Sequence, residues 1–177
     1  MKLLATQEVI LSEIELSLRG TSPDPRFRRA TANMTMTTLC CEHLLKALPA
    51  QSSKQDVSMV LATHFGEVGS TLDFLRTTPS SPTLFQNSLH NSTLGFATVT
   101  LGLTGPGITI SCDSETYSSS HLMAETLLNI SPFVLVVFVD SVPNPLENLY
   151  IEVHPYVEKF LNKATGFLFS KTEGFAR

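Results

Sequence analysis

The sequence contains no tryptophan, only three cysteines, and no apolar run near the length of about 20 residues that a membrane-spanning helix needs. Cys40, Cys41 and Cys112 are too few, and odd in number, for a disulfide framework, which fits a reducing cytoplasm. Basic residues are not in excess either, since twelve Lys and Arg stand against sixteen Asp and Glu, for a net charge of -4. These absences argue against a membrane-spanning protein, a disulfide-stabilised secreted domain and a nucleic-acid-binding protein.

What is present is the composition of a globular domain, with 177 residues, 42% of them hydrophobic and 16% charged. This length is enough for one sizeable core, and we expect a single domain over residues 1–177. Glu8, Glu13 and Glu15 interrupt the apolar start of the chain, so we do not expect a signal peptide.

Strand and helix patterns alternate along the chain. The most apolar segment, Phe133–Val139, predicts a central strand, and Val57–Thr63 predicts a second buried strand. Weaker strands are predicted within residues 1–20, at Ile108–Cys112 and at Gly166–Ser170. Helices are predicted at Arg26–Leu48, within His64–Thr78, and at Ser92–Leu103, Ser114–Leu128 and Tyr156–Lys163, with turns at 21–25 and 77–83 and a long loop at Val142–Pro155. The alternation indicates an α/β fold with at least partly parallel strands.

The sequence offers poor metal, phosphate and redox sites. The five histidines are scattered, without a spacing that places two of them on one metal ion. The segment Gly66–Ser70 follows a predicted strand but lacks the glycine spacing of phosphate-binding loops, and Glu67 would repel a phosphate. Cys40 and Cys41 fit as small core residues of one helix. We therefore expect no metal and no cofactor, and we interpret the two glycines as turn and close-packing positions.

The junction between residues 110 and 116 carries the best candidate for catalysis. A predicted strand ends and a predicted helix begins here, so Ser114 would lie beside unpaired helix N–H groups, where nucleophiles are activated. The alternative is a helix cap formed by Asp113 or Ser114, which is the commoner role of such residues. The carboxylates of Asp113 and Glu115 would also oppose formation of an alkoxide or a thiolate.

The segment Phe85–Ile110, FQNSLHNSTLGFATVTLGLTGPGITI, resembles the amino-terminal half of the β-ketoacyl synthases, the condensing enzymes of fatty-acid and polyketide synthesis. Asn91, Gly95, Gly102-Leu103 and Gly105-Pro106 stand where that family has an asparagine, a small residue and a Gly-Leu-x-Gly-Pro turn into a strand. The resemblance covers about residues 20–140. It implies a thiolase-like half-domain, in which a mixed β-sheet is flanked by helices.

The chain departs from this family at the catalytic residues. The family's nucleophilic cysteine follows the proline of Gly-Pro by eight positions, and the same count from Pro106 leads to Ser114, while Cys112 would lie two residues early, in the strand. The family's catalytic histidines and a supporting lysine come from a second half-domain, for which we find no counterpart here. The resemblance therefore implies a catalytically silent homologue without catalytic residues. The chain is similar to the half-length chain length factors of type II polyketide systems that make aryl polyenes.

Such factors pair with an active ketosynthase and shape the tunnel that holds its growing acyl chain. The resemblance thus implies a ketosynthase partner, and an acyl carrier protein that is reached only through the complex. Family dimers join at the strand before the active-site helix, here Ile108, Thr109, Ile110 and Ser111, and an internal strand is the alternative. Leu84, Phe85 and Leu89, which precede Asn91, are expected to cap the partner's tunnel unless they are ordinary core residues. We also expect an apolar face that the partner covers.

Two other functions stay open. With His90 or His154 as its base, Ser114 would make the chain an acyl-transferring or hydrolysing enzyme, although such a set is recognised by geometry and no spacing supports it. The chain would otherwise be a homodimeric scaffold.

Overall fold

The computed structural model describes residues 1–18, 24–79, 81–143 and 146–171. The strands are β1 (Lys2–Ile10), β2 (Val57–Ala62), β3 (Gly107–Ile110), β4 (Phe133–Asp140) and β5 (Lys163–Ser170). The helices are α1 (Leu11–Leu18), α2 (Ala32–Leu45), α3 (Val68–Arg76), α4 (Pro82–Asn87), α5 (Ser92–Leu101), α6 (Thr116–Leu127) and α7 (Glu147–Val153). Short 3-10 helices lie at Pro25–Phe27, Lys54–Asp56, Asp113–Glu115 and Pro155–Phe160.

The described strands form one mixed sheet in the order β1-β5-β4-β2-β3. Strand β2 runs parallel to both β3 and β4, whereas β5 runs antiparallel to β4 and β1. The parallel pairs are connected through helices, as parallel strands require. The predictions of a partly parallel α/β fold and of a central strand at Phe133–Val139 are confirmed.

Helices cover both faces of the central strands. Met59 and Leu61 of β2 belong to the core beneath α2 and α5, whereas Val60 and Ala62 belong to the core beneath α6. Successive side chains of a strand point to opposite faces, so a strand covered on both sides needs a continuous apolar sequence. This requirement explains why β2 and β4 were the easiest elements to predict.

The amino-terminal elements are shorter than predicted. The opening strand ends at Ile10 and continues as α1, and part of the predicted turn at 21–25 lies outside the described residues. The predicted helix at Arg26–Leu48 is wrong at its start. Thr31 caps α2 by accepting a hydrogen bond from the Met34 amide at 3.1 Å, so the helix begins at Ala32.

Two short helices replace predicted turns and loops. The predicted loop at Val142–Pro155 contains α7, and the predicted turn at 77–83 leads into α4. Ser81 is the N-cap of α4 and accepts from the Leu84 amide at 3.3 Å, while Pro82 occupies the first helical position, where a proline is tolerated. The predicted helix at Tyr156–Lys163 is instead a 3-10 helix at Pro155–Phe160.

Candidate functional site

The Gly-Leu-x-Gly-Pro turn brings β3 beside β2. Gly102 ends α5 in the left-handed region, at a φ of 69°, where glycine carries no steric penalty. A Cβ atom at Gly105 would overlap the carbonyl oxygen of Val57, so only glycine fits there. The carbonyl of Pro106 then accepts from the Met59 amide at 2.9 Å, which begins the β2–β3 ladder.

Strand β3 lies at one end of the sheet, and no other strand of the described ranges pairs with its outer side. The carbonyls of Pro106 and Ile110 accept from Met59 and Thr63 of the β2 side, at 2.9 and 3.0 Å. Because backbone groups of a strand alternate in direction, the amides and carbonyls of Gly107, Thr109 and Ser111 point away from β2. The open backbone groups expected at this strand are therefore available, while their use by a partner stays a prediction.

The side chains of β3 contribute less to this edge than its backbone does. Ile110 is buried beneath α6, Ile108 packs partly against the same core, and Thr109 is half-buried. Ser111, which follows β3, is exposed, and its hydroxyl donates to the His64 carbonyl at 3.4 Å. The surface that a second chain meets at this edge is mainly peptide backbone.

Ser114 is exposed in the 3-10 helix at Asp113–Glu115, between β3 and α6. Asp113, just before it, has a φ of 49°, a left-handed conformation that Asp and Asn adopt more readily than most residues. Neither residue caps α6, so that prediction is wrong. The Thr116 hydroxyl instead accepts from the Cys112 amide at 2.9 Å and donates to the Asp113 carbonyl at 2.8 Å. Cys112 is exposed and lies beyond the end of β3, not within the strand as predicted.

Neither histidine proposed as a base reaches Ser114 in the described part of the chain. His154 Nδ1 lies 3.0 Å from the Tyr156 hydroxyl and 3.8 Å from Asp113 Oδ1. The His90 ring instead lies against Gly66, where an added Cβ atom would overlap it. The structure thus leaves Ser114 without a hydrogen-bonded base or an orienting group, both of which an activated hydroxyl needs.

A buried carboxylate that the sequence analysis did not identify joins the ends of β4 and β2. Asp140 is the last residue of β4, and Oδ1 accepts from the Thr63 hydroxyl at 2.6 Å and the Phe65 amide at 3.0 Å. Oδ2 accepts from the His64 amide at 2.9 Å. Asp140 therefore fixes the loop between β2 and α3. The available signal was a single acid at the end of an otherwise apolar strand.

Glu67 is the N-cap residue just before α3 and is also buried. Its carboxylate accepts hydrogen bonds from the hydroxyls of Thr93 and Thr31, the latter at 2.9 Å, and thereby connects α3 with α5 and α2. Burial raises the pKa of the Glu67 carboxyl, and the two hydroxyls act in the opposite direction. Glu67 thus holds structural elements together. The neighbouring Gly66 packs against the His90 ring, which confirms the prediction that it is a close-packing residue.

The predicted tunnel-capping residues point in different directions. Leu84 is half-buried and lines a cavity of about 630 Å³ that is bordered by α3, α4, the start of α2 and the residues after β4. Phe85 is 51% exposed, and its ring centre lies 5.5 Å from that of Phe74. Leu89 is also exposed, so the two outward residues are not core residues.

Asn91 is exposed at the start of α5, where its side chain forms no capping hydrogen bond. The cysteines of α2 are core residues, as predicted. Cys40 and Cys41 are buried, and burial raises the pKa of the Cys40 thiol to about 12. In the described ranges, His, Cys, Asp and Glu form no group that would hold a metal ion.

Comparison with known families assigns this architecture. The family described as the β-ketoacyl synthase N-terminal domain matches residues 28–175. The chain belongs to this family. The family resemblance inferred from residues 85–110 is therefore confirmed, as is the thiolase-like half-domain. No curated protein matches the chain.

Solved structures of β-ketoacyl synthase relatives share the fold. A structure titled as a ketosynthase in complex with its chain length factor from Xenorhabdus doucetiae aligns with a TM-score of 0.68 at 20% identity, over 88% of this chain and 63% of the matched chain. The ishigamide ketosynthase/chain length factor aligns with a TM-score of 0.69 at 14% identity, over 87% and 47%. A type II acyl carrier protein in complex with its ketosynthase aligns at 0.67 and 13% identity, over 96% and 62%.

This β-ketoacyl synthase N-terminal domain thus spans between about half and two thirds of the three chains named above. At these identities the similarity establishes the fold. Among the helices of the described ranges, none is both long enough and apolar enough to cross a membrane.

Proposed function

We propose that the chain is a non-catalytic chain length factor that pairs with an active ketosynthase. The observation that carries this proposal is the exposed Ser114, which stands between β3 and α6 where the family has its nucleophilic cysteine and has no base bonded to it among the described residues. Decarboxylative condensation needs a thiolate to hold the acyl chain and hydrogen-bond donors for the developing negative charge. An unactivated hydroxyl is a much weaker nucleophile than a thiolate at neutral pH.

The partner is proposed to pair with β3. Unpaired amides and carbonyls at a sheet edge are a template for another strand, and the outward backbone groups of Gly107, Thr109 and Ser111 supply such a template. Two structural relatives are titled as complexes or pairs of a ketosynthase with a chain length factor, which supports this kind of partner. An acyl carrier protein would meet the chain through the complex.

The acyl chain of the partner is proposed to end against the outward side of α4. Phe85 and Leu89 are large, apolar and exposed, as a group that closes another protein's tunnel must be before assembly. Leu84 lies on the inner side of α4, against the 630 Å³ cavity, and would support this wall. Each CH₂ group of the acyl chain that the tunnel buries stabilises the bound chain by roughly 0.8 kcal/mol, whereas overpacking costs about 1–3 kcal/mol. The size of the side chains at the end wall therefore sets the length of the acyl chain. Aryl polyene synthesis is the proposed pathway.

Co-expression with an active ketosynthase encoded alongside the chain tests the pairing. The expected result is a stable 1:1 complex on size exclusion, and two proteins that elute separately would contradict the proposal. Within the complex, Phe85→Ala should shift the products toward longer chains. Leu75→Ala is the matched control, because Leu75 is an exposed leucine on the neighbouring α3 and lies outside α4. Unchanged lengths with Phe85→Ala would remove its proposed role.

The enzyme alternative has a separate test. The isolated chain is incubated with acyl thioesters and its intact mass is measured. The proposal predicts no adduct, whereas an adduct that disappears in Ser114→Ala would establish Ser114 as a nucleophile.

A further inference from the structure

A long part of the sequence carries no charge. No Asp, Glu, Lys or Arg occurs in the 36 residues from 77 to 112, although the chain contains twelve Lys and Arg and sixteen Asp and Glu elsewhere. This segment, called the uncharged band below, includes all of α4, α5 and β3. Elements that face only solvent usually carry charges on about a quarter to a third of their surface positions.

The uncharged band is not a core segment. Val99 is 82% exposed on α5, the largest exposed fraction of any large apolar side chain in the described ranges, and Phe85 and Leu89 are exposed on and after α4. Apart from the imidazole of His90, its exposed polar side chains, among them Gln86 and Thr104, are uncharged. Loss of charge together with exposure of large apolar groups distinguishes the centre of an interface from an ordinary surface.

The exposed part of α5 is continuous with the open edge of β3. Leu94 on the inner side of α5 lies over β3, since a Cβ atom at Gly107 would be 3.3 Å from its side chain. Gly95 and Val99 lie one turn apart on the opposite, exposed side of the helix. A Cβ atom at Gly95 would meet no atom within 4 Å apart from its chain neighbours and the backbone of its own helix. The residues of the helix and of the strand edge therefore contribute no charge to this surface, and Lys54, from outside the band, donates to the Leu101 carbonyl at 2.8 Å at the end of α5.

We propose that the ketosynthase surface that meets this chain is likewise uncharged, and that Val99 is an apolar anchor of the contact. This inference rests on the proposed function and specifies the chemistry of its partner. A charged partner residue placed against the uncharged band would lose water without gaining an opposite charge, which is strongly unfavourable. Strand pairing and apolar burial hold the complex, and ion pairs contribute little. Association is therefore nearly independent of salt, since screening acts on charges.

Binding of the purified ketosynthase to this chain is measured at about 0.05 M and about 0.5 M NaCl, a range over which screening changes strongly. The affinity should change by less than about twofold between them. Val99→Glu should weaken binding by at least about thirtyfold, as expected for an unpaired charge enclosed in an interface. Val153→Glu is the matched control and should bind like the wild type, because Val153 is 60% exposed on α7, outside the uncharged band.

Val99→Thr, which keeps the shape of valine without adding a charge, should weaken binding less than Val99→Glu. Circular dichroism of each variant establishes that the exposed substitutions leave the fold intact. If the wild type binds but Val99→Glu binds equally well, or if affinity falls steeply with salt, the inference is wrong and the pairing stands. If the wild type binds no ketosynthase, the proposed function fails. If the wild type then associates with itself and Val99→Glu does not, the uncharged band binds a second copy of this chain.

Discussion

The carboxylate of Asp140 holds His64 at two points: Oδ2 accepts from the His64 amide at 2.9 Å and lies 2.9 Å from His64 Nδ1. Both side chains are buried. The contact joins the end of β4 to the residues that follow β2, so it fixes the loop from which α3 and its buried Glu67 begin.

Replacing Asp140 should destabilise the chain. Asp140→Ala leaves the amides of His64 and Phe65 and the Thr63 hydroxyl without their acceptor, and we expect a loss of about 3 kcal/mol in the free energy of unfolding. Asp140→Asn retains one acceptor oxygen and should lose less. Urea unfolding measures both, and an Ala variant with the wild-type midpoint would disprove the structural role of this carboxylate.

Two glycines should respond in opposite directions to the same substitution. A Cβ atom at Gly166 would lie 2.6 Å from Cys40 Sγ and 2.7 Å from Leu44 Cδ1, so Gly166→Ala should destabilise the chain by about 1–3 kcal/mol through overpacking. Gly95→Ala is the matched control. It adds the same methyl group where nothing is close, within a helix, and should stabilise by about 0.5–1 kcal/mol. Thermal unfolding compares them, and equal shifts would contradict the packing described here.

Glu67 should make stability depend on pH. Burial raises the pKa of its carboxyl in the folded chain above the unfolded value. Its contribution to stability is therefore fully present below the unfolded pKa and is lost as pH rises through the folded pKa. Glu67→Gln removes this titration and keeps a group that can accept from Thr31 and Thr93. The variant should thus gain stability relative to the wild type as pH increases from about 4 to about 8. A stability difference that is constant over this range would show that Glu67 does not titrate as described.

The open edge of β3 can be tested with proline. The Thr109 amide points away from β2, so Thr109→Pro removes an outward donor while the β2–β3 ladder stays intact. We expect this variant to fold but to lose the ketosynthase in a co-purification. Ile108→Pro is the comparison, because its amide faces β2 and its loss should destabilise the fold itself. Normal complex formation by Thr109→Pro would exclude pairing through this edge.

The sequence predicted those elements whose pattern depends on local chemistry. The apolar segments of β2 and β4 show burial on both faces, and the Gly-Leu-x-Gly-Pro turn requires glycine at 102 for conformation and at 105 for space. Helix α4 was missed because Pro79 and Pro82 indicated a turn, although Ser81 followed by Pro82 is a helix-start signal. Helix α7 was missed because the prolines on either side of it indicated a loop, although none of them lies within the helix.

The candidate site was less predictable because its contacts are formed between distant parts of the chain. Asp140 and His64 are 76 residues apart, and no local pattern indicates that they meet. The hydroxyl groups around Glu67 come from α3, from α5 and from Thr31 just before α2. The uncharged band can be read from the sequence, but a net charge summed over the whole chain does not show where the charges are missing.

The most direct test of the central claim is the elongation rate of a complex assembled from an active ketosynthase and the Ser114→Ala chain. A non-catalytic chain length factor predicts the wild-type rate and the wild-type products, since Ser114 takes no part in the chemistry. Loss of elongation in a complex that still assembles would contradict the account and would return Ser114 to catalysis.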